Sequence, residues 1–240
     1  MSYGTFHARD WNWHPEALVP AYRSTRLRAP MQNLVTLPTS PTEASGPHFG
    51  QNILGELDND LLLNFAKDGP PIGERIMVHG HVFDENGGGV AGALVEFWQC
   101  NSAGRYRHRN DGYNAPLDPN FGGCGRTITD ENGYWFLRTI KPGPYPWPNG
   151  GNDWRPAHVH FSLIGSGFTQ RLITQMYFEG DPLIPIDPIA NSVSDPQALR
   201  RLTAKFDLQS SVPMDFRAYR WDIVLRGRGS TMFENRPEGN

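Results

Sequence analysis

From Gly73 onward the chain is a succession of short apolar runs, most of them alternating with a period of two, and turns rich in Gly, Asn, Asp and Pro separate them. Residues two apart point to the same side of a strand, so each run can bury one face only against a second layer. Arg75–Phe83 (RIMVHGHVF) alternates in this way, the turn DENGGG follows, and Ala93–Cys100 (ALVEFWQC) reads as a returning, largely buried strand, which makes a hairpin. Thr127–Ile140 (TITDENGYWFLRTI) repeats the device as strand, turn and strand. Ala157–Gly165, Arg171–Gly180 and Tyr219–Gly227 supply further strands. One helix is predicted in Ser194–Phe206 (SDPQALRRLTAKF), with Asp195 as N-cap and Pro196 at the first helical position. The 26 glycines and 21 prolines suit many turns and few long helices. The expected fold is all-β: a β-sandwich over residues 71–240 with long loops and one short helix in its C-terminal half.

Residues 1–70 read differently. Pro20, Pro30, Pro38, Pro41 and Pro47 punctuate them, and only Asp58–Ala66 (DNDLLLNFA) offers an N-cap and a short helical apolar cluster. Such an extended, mostly coil arm builds no core of its own, so it is expected to lie across the sandwich or across a partner. A formal net charge of −3 gives no footprint for nucleic acid or an anionic membrane. The basic stretch Arg226–Ser230 (RGRGS) reads as a solvated tail or subunit contact. No apolar run reaches bilayer length and the N-terminus lacks the pattern of a signal peptide, so the cytoplasm is the expected location. Cys100 and Cys124, without CxxC spacing, read as two reduced thiols.

The stretch Arg155–Phe161 (RPAHVHF) sets His158 and His160 on one face of a strand, with Val159, Phe161 and Leu163 on the other. The apolar face can enter the sandwich and leave two imidazoles at a cleft, where they could converge on one metal ion. A second such pair, His79 and His81 in HGH, also lies in a strand pattern, and spacing alone does not choose between them. Neither cysteine has ligand-like spacing that would complete a zinc site. Upstream of His158 a Pro/Gly-rich loop carries Tyr145, Trp147, Trp154 and Arg155, and its prolines restrict the backbone around Tyr145. A further aromatic and basic cluster, with Tyr106, His108 and Tyr113, follows the strand that ends at Cys100.

Taken together, Pro20–Pro30 (PAYRSTRLRAP), Gly104–Arg126 (GRYRHRNDGYNAPLDPNFGGCGR), Thr139–Trp147 (TIKPGPYPW), Asn152–Phe161 (NDWRPAHVHF), Gln175–Pro185 (QMYFEGDPLIP), Tyr219–Gly227 (YRWDIVLRG) and the tail Phe233–Asn235 (FEN) resemble the intradiol ring-cleaving dioxygenases. The resemblance covers most of the chain. It implies one non-haem Fe(III) per chain, held by Tyr106, Tyr145, His158 and His160 with a solvent hydroxide, and it leaves HGH structural. Phenolate oxygen is a hard anionic donor, and two phenolates with a hydroxide balance a ferric charge. The resemblance further implies that Tyr145 leaves the metal when a catechol binds and accepts a substrate proton. Arg155 would stabilise a carbanion-like ring carbon. Tyr22, Trp147, Gln175 and Ile189 would line the substrate pocket.

The implied reaction is cleavage of protocatechuate with O2 to 3-carboxy-cis,cis-muconate. The arm lacks the helical dimerisation domain of catechol-cleaving members, which favours protocatechuate over catechol. The implied partner is a homologous α chain, in αβ units of a larger oligomer; no further Arg stands out in the sequence to meet the substrate carboxylate. Three other readings fit the strand pattern. One is an intradiol enzyme for another catechol, catechol or hydroxyquinol. Another is a binding sandwich of transthyretin-like or carbohydrate-binding type, and a third is a zinc or copper site on the histidines alone; neither of these two needs Tyr106 or Tyr145.

Overall fold

The computed structural model describes residues 16–32, 54–164, 171–225 and 229–232. Its regular structure is mostly β: β1 (Arg75–Phe83), β2 (Leu94–Trp98), β3 (Cys124–Ile128), β4 (Tyr134–Ile140), β5 (Tyr145–Pro146), β6 (Trp154–Arg155), β7 (His158–Ile164), β8 (Arg171–Phe178), β9 (Thr203–Val212), β10 (Phe216–Arg220) and β11 (Ile223–Val224). Among the described residues, two short helices, α1 (Thr25–Arg28) and α2 (Pro196–Arg201), and two 3₁₀ turns accompany them. No helix among the described residues is long and apolar enough to cross a membrane.

The strands form two facing layers. In one, β1 lies between antiparallel β4 and parallel β10, and β9 pairs beyond β10. In the other, β7 lies between β8 and β2, with β3 outside β2. β9 joins the layers, because Thr203 and Ala204 pair with Tyr177 and Phe178 of β8 before the strand continues along β10. The expected all-β sandwich forms, joined along one side into a nine-stranded sheet that nearly closes as a barrel.

One aromatic-rich core fills the interlayer space. Trp135 of β4 meets Phe161 of β7 at 5.3 Å between ring centroids, and Phe161 meets Trp221 at 4.7 Å. Val78, Val82, Val95, Leu137, Val159 and Met176 pack into the same cluster with no exposed surface. Fully burying a side chain such as Phe161 stabilises the fold by about 1.5–3 kcal/mol. The HGH motif has its explanation here. A Cβ at Gly80 would stand 1.9 Å from the Trp221 carbonyl oxygen, so glycine lets the 221 backbone close on β1, where Trp221 N donates to His79 O.

Three local expectations are corrected. β1 and β2 do not make a hairpin: both edges of β1 are taken by β4 and by β10 with β11, and β2 pairs with β3 and β7 in the facing layer. The turn itself exists, with Asp84 accepting from Asn86 N and Gly88 N, but the chain folds back only as far as a bridge between Phe83 and Gly89. Thr127–Ile140 likewise turns at Asp130–Gly133, yet β3 stays in one layer and β4 crosses to the other. Asp58–Ala66 forms successive turns and no helix, because its acids are engaged elsewhere. Asp58 pairs with Arg126 at 2.8 Å, and Asp60 accepts from Leu62 N and pairs with Arg138 at 2.9 Å.

The helix α2 begins as its sequence directs, with Asp195 accepting from Gln197 N and Pro196 in the first turn, but ends at Arg201, where the chain turns into β9. Cys100 and Cys124 are both free thiols. Pro38, Pro41, Pro47, Arg226–Gly227–Arg228 and the tail Phe233–Asn235 lie outside the described residues.

Candidate active site and metal centre

The pleat of β7 turns Val159, Phe161 and Leu163 into the core and His158 and His160 to the opposite side. His158 faces Tyr177 across the β7–β8 ladder; His160 faces Gln175 on that side and Trp98 on the other. The Trp98 and His160 rings stack at 5.0 Å with an interplanar angle of 2°. Nδ1 of the fully buried His158 lies 2.7 Å from the Pro156 carbonyl oxygen, to which it donates; this leaves the Nε2 lone pair facing outward.

Two loops bring tyrosines to those nitrogens. Asn101 anchors the first: its Oδ1 accepts from Ala103 N and Arg105 N, and its Nδ2 donates to Pro116 O. The same residue's carbonyl accepts from Gly143 N of the second loop. Gly104 lets the two loops meet, with φ +80° and a virtual Cβ only 2.5 Å from Pro144 O and 2.9 Å from Tyr145 Cβ. Tyr145 is further fixed by its antiparallel pairing with Arg155 in the β5–β6 ribbon, and Tyr106 N donates to Asp111 at 2.7 Å.

The result is convergence. The Tyr106 hydroxyl lies 3.0 Å from His160 Nε2 and 3.3 Å from His158 Nε2, and the Tyr145 hydroxyl lies 3.4 Å from His158 Nε2. Neighbouring ligands of one ion, with bonds of about 2.0–2.1 Å, stand about 3 Å apart. Among the described residues no three His, Cys, Asp or Glu side chains group as a metal site; here two imidazoles meet two phenols. Burial raises the pKa of Tyr106 well above that of a free phenol, and nearby Tyr145 adds to the rise. Burial also raises that of Tyr145, against the pull of Arg155. Burial, then Arg155 and His160, hold the pKa of His158 well below that of a free imidazole. The imidazole is therefore neutral, as ligation requires, and the phenols ionise only when a cation is present to stabilise them.

Arg155 is 4% exposed. Its Nε lies 3.2 Å from Asp187 Oδ1, and its Nη2 donates to Gln175 Oε1 and, at 3.5 Å, to the Tyr177 hydroxyl. Trp147 covers it, with the guanidinium carbon 5.8 Å from the ring centroid. Tyr22 packs edge-on against Trp147 at 5.5 Å. Two hydrogen bonds pin the backbone beside Tyr22 to the Trp147 loop, from Arg23 N to Asn149 Oδ1 and from Asn149 Nδ2 to Ala21 O. Ile189 N donates to Asp187 Oδ1, which places that loop beside Arg155. The pocket residues expected from the sequence thus form a connected set around Arg155.

His79 and His81 stand elsewhere, His79 paired with Asp207 at 3.1 Å and His81 stacked on Phe83 at 5.4 Å. His108 is exposed.

Sequence reasoning missed Trp98, Tyr177, Asp187 and Arg28. The first two reach the site only through strand register, which no local pattern encodes. Asp187, fully buried between two prolines, comes from a loop 32 residues after Arg155. Arg28 lies over the Tyr22 ring, 4.5 Å from its centroid, and its Nε is buried without a hydrogen-bond partner among the described residues.

Comparison with known proteins follows the same outline. A family model described as "Dioxygenase" matches residues 44–227, and one described as "Protocatechuate 3,4-dioxygenase beta subunit N terminal" matches residues 7–40. The protocatechuate 3,4-dioxygenase beta chain of Burkholderia cepacia is 49% identical over 227 residues, spanning 94% of this chain and 96% of that one. The alpha chain of that enzyme from Pseudomonas putida is 32% identical over 206 residues, spanning 82% of this chain and 96% of that one. Among solved structures, 3-chlorocatechol 1,2-dioxygenase from Rhodococcus opacus superposes with a TM-score of 0.53 at 27% identity, covering 75% of this chain and 70% of that one.

Proposed function

This chain belongs to the intradiol dioxygenase family, and we propose that it is the metal-bearing β-type subunit of an enzyme that cleaves protocatechuate with O2 to 3-carboxy-cis,cis-muconate. The observation that carries this reading is the approach of one phenol oxygen, that of Tyr106, to both Nε2 atoms of His158 and His160 at 3.3 and 3.0 Å.

Enzymes of this family use non-haem iron. In the proposal each chain holds one Fe(III) through Tyr106, Tyr145, His158 and His160, a donor set whose hard, anionic phenolates suit a ferric ion. Bound there, Fe(III) would supply Lewis acidity toward both hydroxyl oxygens of a catechol. The chain's own residues do the rest. Pro156 O fixes the His158 tautomer, so that Nε2 has no proton to lose. The Tyr145 oxygen, on the loop nearest Arg155, takes up a proton from a substrate hydroxyl as the catechol enters. Arg155, held by Asp187 and Gln175, faces the ring with a fixed positive charge that favours negative charge developing on carbon. Trp147, Tyr22 and Ile189 wall the ring in and exclude water from it.

Choice among catechols rests on the far wall. Arg28 stacks on Tyr22 with no carboxylate partner among the described residues, and such a cation suits a ring that carries its own carboxylate. An α chain is the proposed partner, since the α chain of Pseudomonas putida is itself a relative of this one. In that reading the arm of residues 1–70 lies over the sandwich of residues 71–240 and meets the α chain in a larger oligomer, in the cytoplasm. The test is a paired assay of the iron-loaded protein with any co-purifying chain. O2 uptake is expected with protocatechuate, with the carboxymuconate as product; uptake with catechol and none with protocatechuate would overturn the substrate assignment.

A further inference from the structure

Asp187 has no exposed surface, and its carboxylate is shared between two structural units. Its two oxygens lie 3.2 and 3.3 Å from Arg155 Nε, and they also accept from Ile189 N and Ala190 N, each at 3.2 Å. Those amides open the 3₁₀ turn Ala190–Ser192, which the Asp187 carbonyl extends by accepting from Asn191 N and Asn191 Nδ2. One side chain therefore sets the rotation of the Arg155 guanidinium and the placement of the loop that carries Ile189. With Nε committed to Asp187, Arg155 turns Nη2 toward Gln175 and the Tyr177 hydroxyl, both on β8 beside the histidine strand. Replacing the carboxylate by an amide frees the guanidinium to rotate, while the amide oxygen still accepts from Ile189 N.

We infer that Asp187 is a positioning residue of the ring-cleaving reaction, acting through Arg155. The inference rests on the function proposed above. It separates Asp187 from the many buried acids that serve stability alone, because its effect must pass through one named cation. A displacement of about 1 Å in a group that acts electrostatically can cost on the order of 100-fold in turnover.

The experiment is a double-mutant cycle on the iron-loaded protein with its co-purifying partner: wild type, Asp187→Asn, Arg155→Gln and the double variant. Asp187→Asn is expected to lower kcat on the order of 10–100-fold. Its visible absorbance per iron and its anaerobic affinity for protocatechuate are expected to stay within about twofold of wild type. In the Arg155→Gln background the same substitution is expected to change kcat by less than about twofold. Turnover retained in Asp187→Asn, or a loss that multiplies in full on top of Arg155→Gln, overturns the inference.

Asp187→Asn leaves a buried guanidinium without its counter-charge, whereas the double variant replaces both charges by amides. If the single variant does not fold, Arg155→Gln against the double variant decides: equal kcat supports the inference and a lower kcat in the double variant overturns it. Wild-type protein that consumes no O2 with any catechol fails the function proposed above; active wild type with an unaffected Asp187→Asn fails only this inference.

Discussion

The hydroxyl of Tyr106 stands 3.0 Å from Nε2 of His160, across 54 residues of sequence. Nothing in either residue's neighbourhood along the chain demands the contact. It exists because β2 pairs with β7, so the loop leaving Trp98 begins beside His160, and because Asn101 then turns that loop back over the strand.

The two histidine pairs separate cleanly by mutation. His160→Ala is expected to lose bound iron, its colour and its activity, because one of four converging donors is gone. His79→Ala is expected to keep all three, since His79 bonds to Asp207 and stands apart from the site. Iron content by metal analysis on both variants is the check, and a reversed result would mean that the site is built on the other pair.

Gly104→Ala tests the docking of the tyrosine loops. The new methyl would meet Pro144 O at 2.5 Å on a backbone with φ +80°, so the loops must part or the backbone must shift. Strain of this kind costs about 1–3 kcal/mol. The expected outcome is folded protein with a lower unfolding midpoint and reduced iron retention on dialysis against a chelator. Wild-type retention would show that the Tyr106 and Tyr145 loops do not depend on this contact.

Arg155→Ser removes the charge proposed to face the reacting ring and no donor from the proposed metal set. Colour per iron is expected to persist while kcat falls by about 10²–10³-fold. Steady-state kinetics beside an absorbance spectrum distinguish this from loss of metal.

Arg28→Ala is expected to lower kcat/KM for protocatechuate by about tenfold, the worth of one charge-assisted hydrogen bond, and to leave kcat/KM for unsubstituted catechol near its wild-type value. Equal losses on both substrates would place Arg28 in packing against Tyr22 and out of carboxylate recognition.

Acid sensitivity carries a sign that His79 fixes. Burial lowers its pKa below 6.5, although Asp207 pulls the other way. Below pH about 6.5 the unfolded chain gains a proton at this site that the folded chain resists, so stability falls as pH falls. Urea midpoints at pH 7.5 and 5.5 are expected to drop more for wild type than for His79→Gln; identical drops would assign the acid sensitivity elsewhere.

How much of this was legible beforehand follows the range of the interactions. Alternation marked the strands, and the pleat put Val159 and Phe161 inward and the two histidines outward without any knowledge of their neighbours. The N-cap at Asp195 was equally local. Pairing was not: DENGGG and TDENG looked like hairpin turns, and both instead pass the chain between layers, a choice made by which edges of β1 and β2 remain free. The same limit hid Trp98, Tyr177 and Asp187, which register and a distant loop deliver to the site. The task of Tyr106 and Tyr145 as metal donors came only through the resemblance, because a tyrosine in a loop carries no local mark of its task.

The most direct measurement is the visible spectrum of the purified protein beside its iron content, for wild type and for Tyr106→Phe. With the proposed site, about one iron per chain and a wine-red charge-transfer band from phenolate to Fe(III) are expected, the band weakened or lost when Tyr106 becomes Phe. A folded, iron-replete protein without that band, or a band indifferent to Tyr106, would contradict that site.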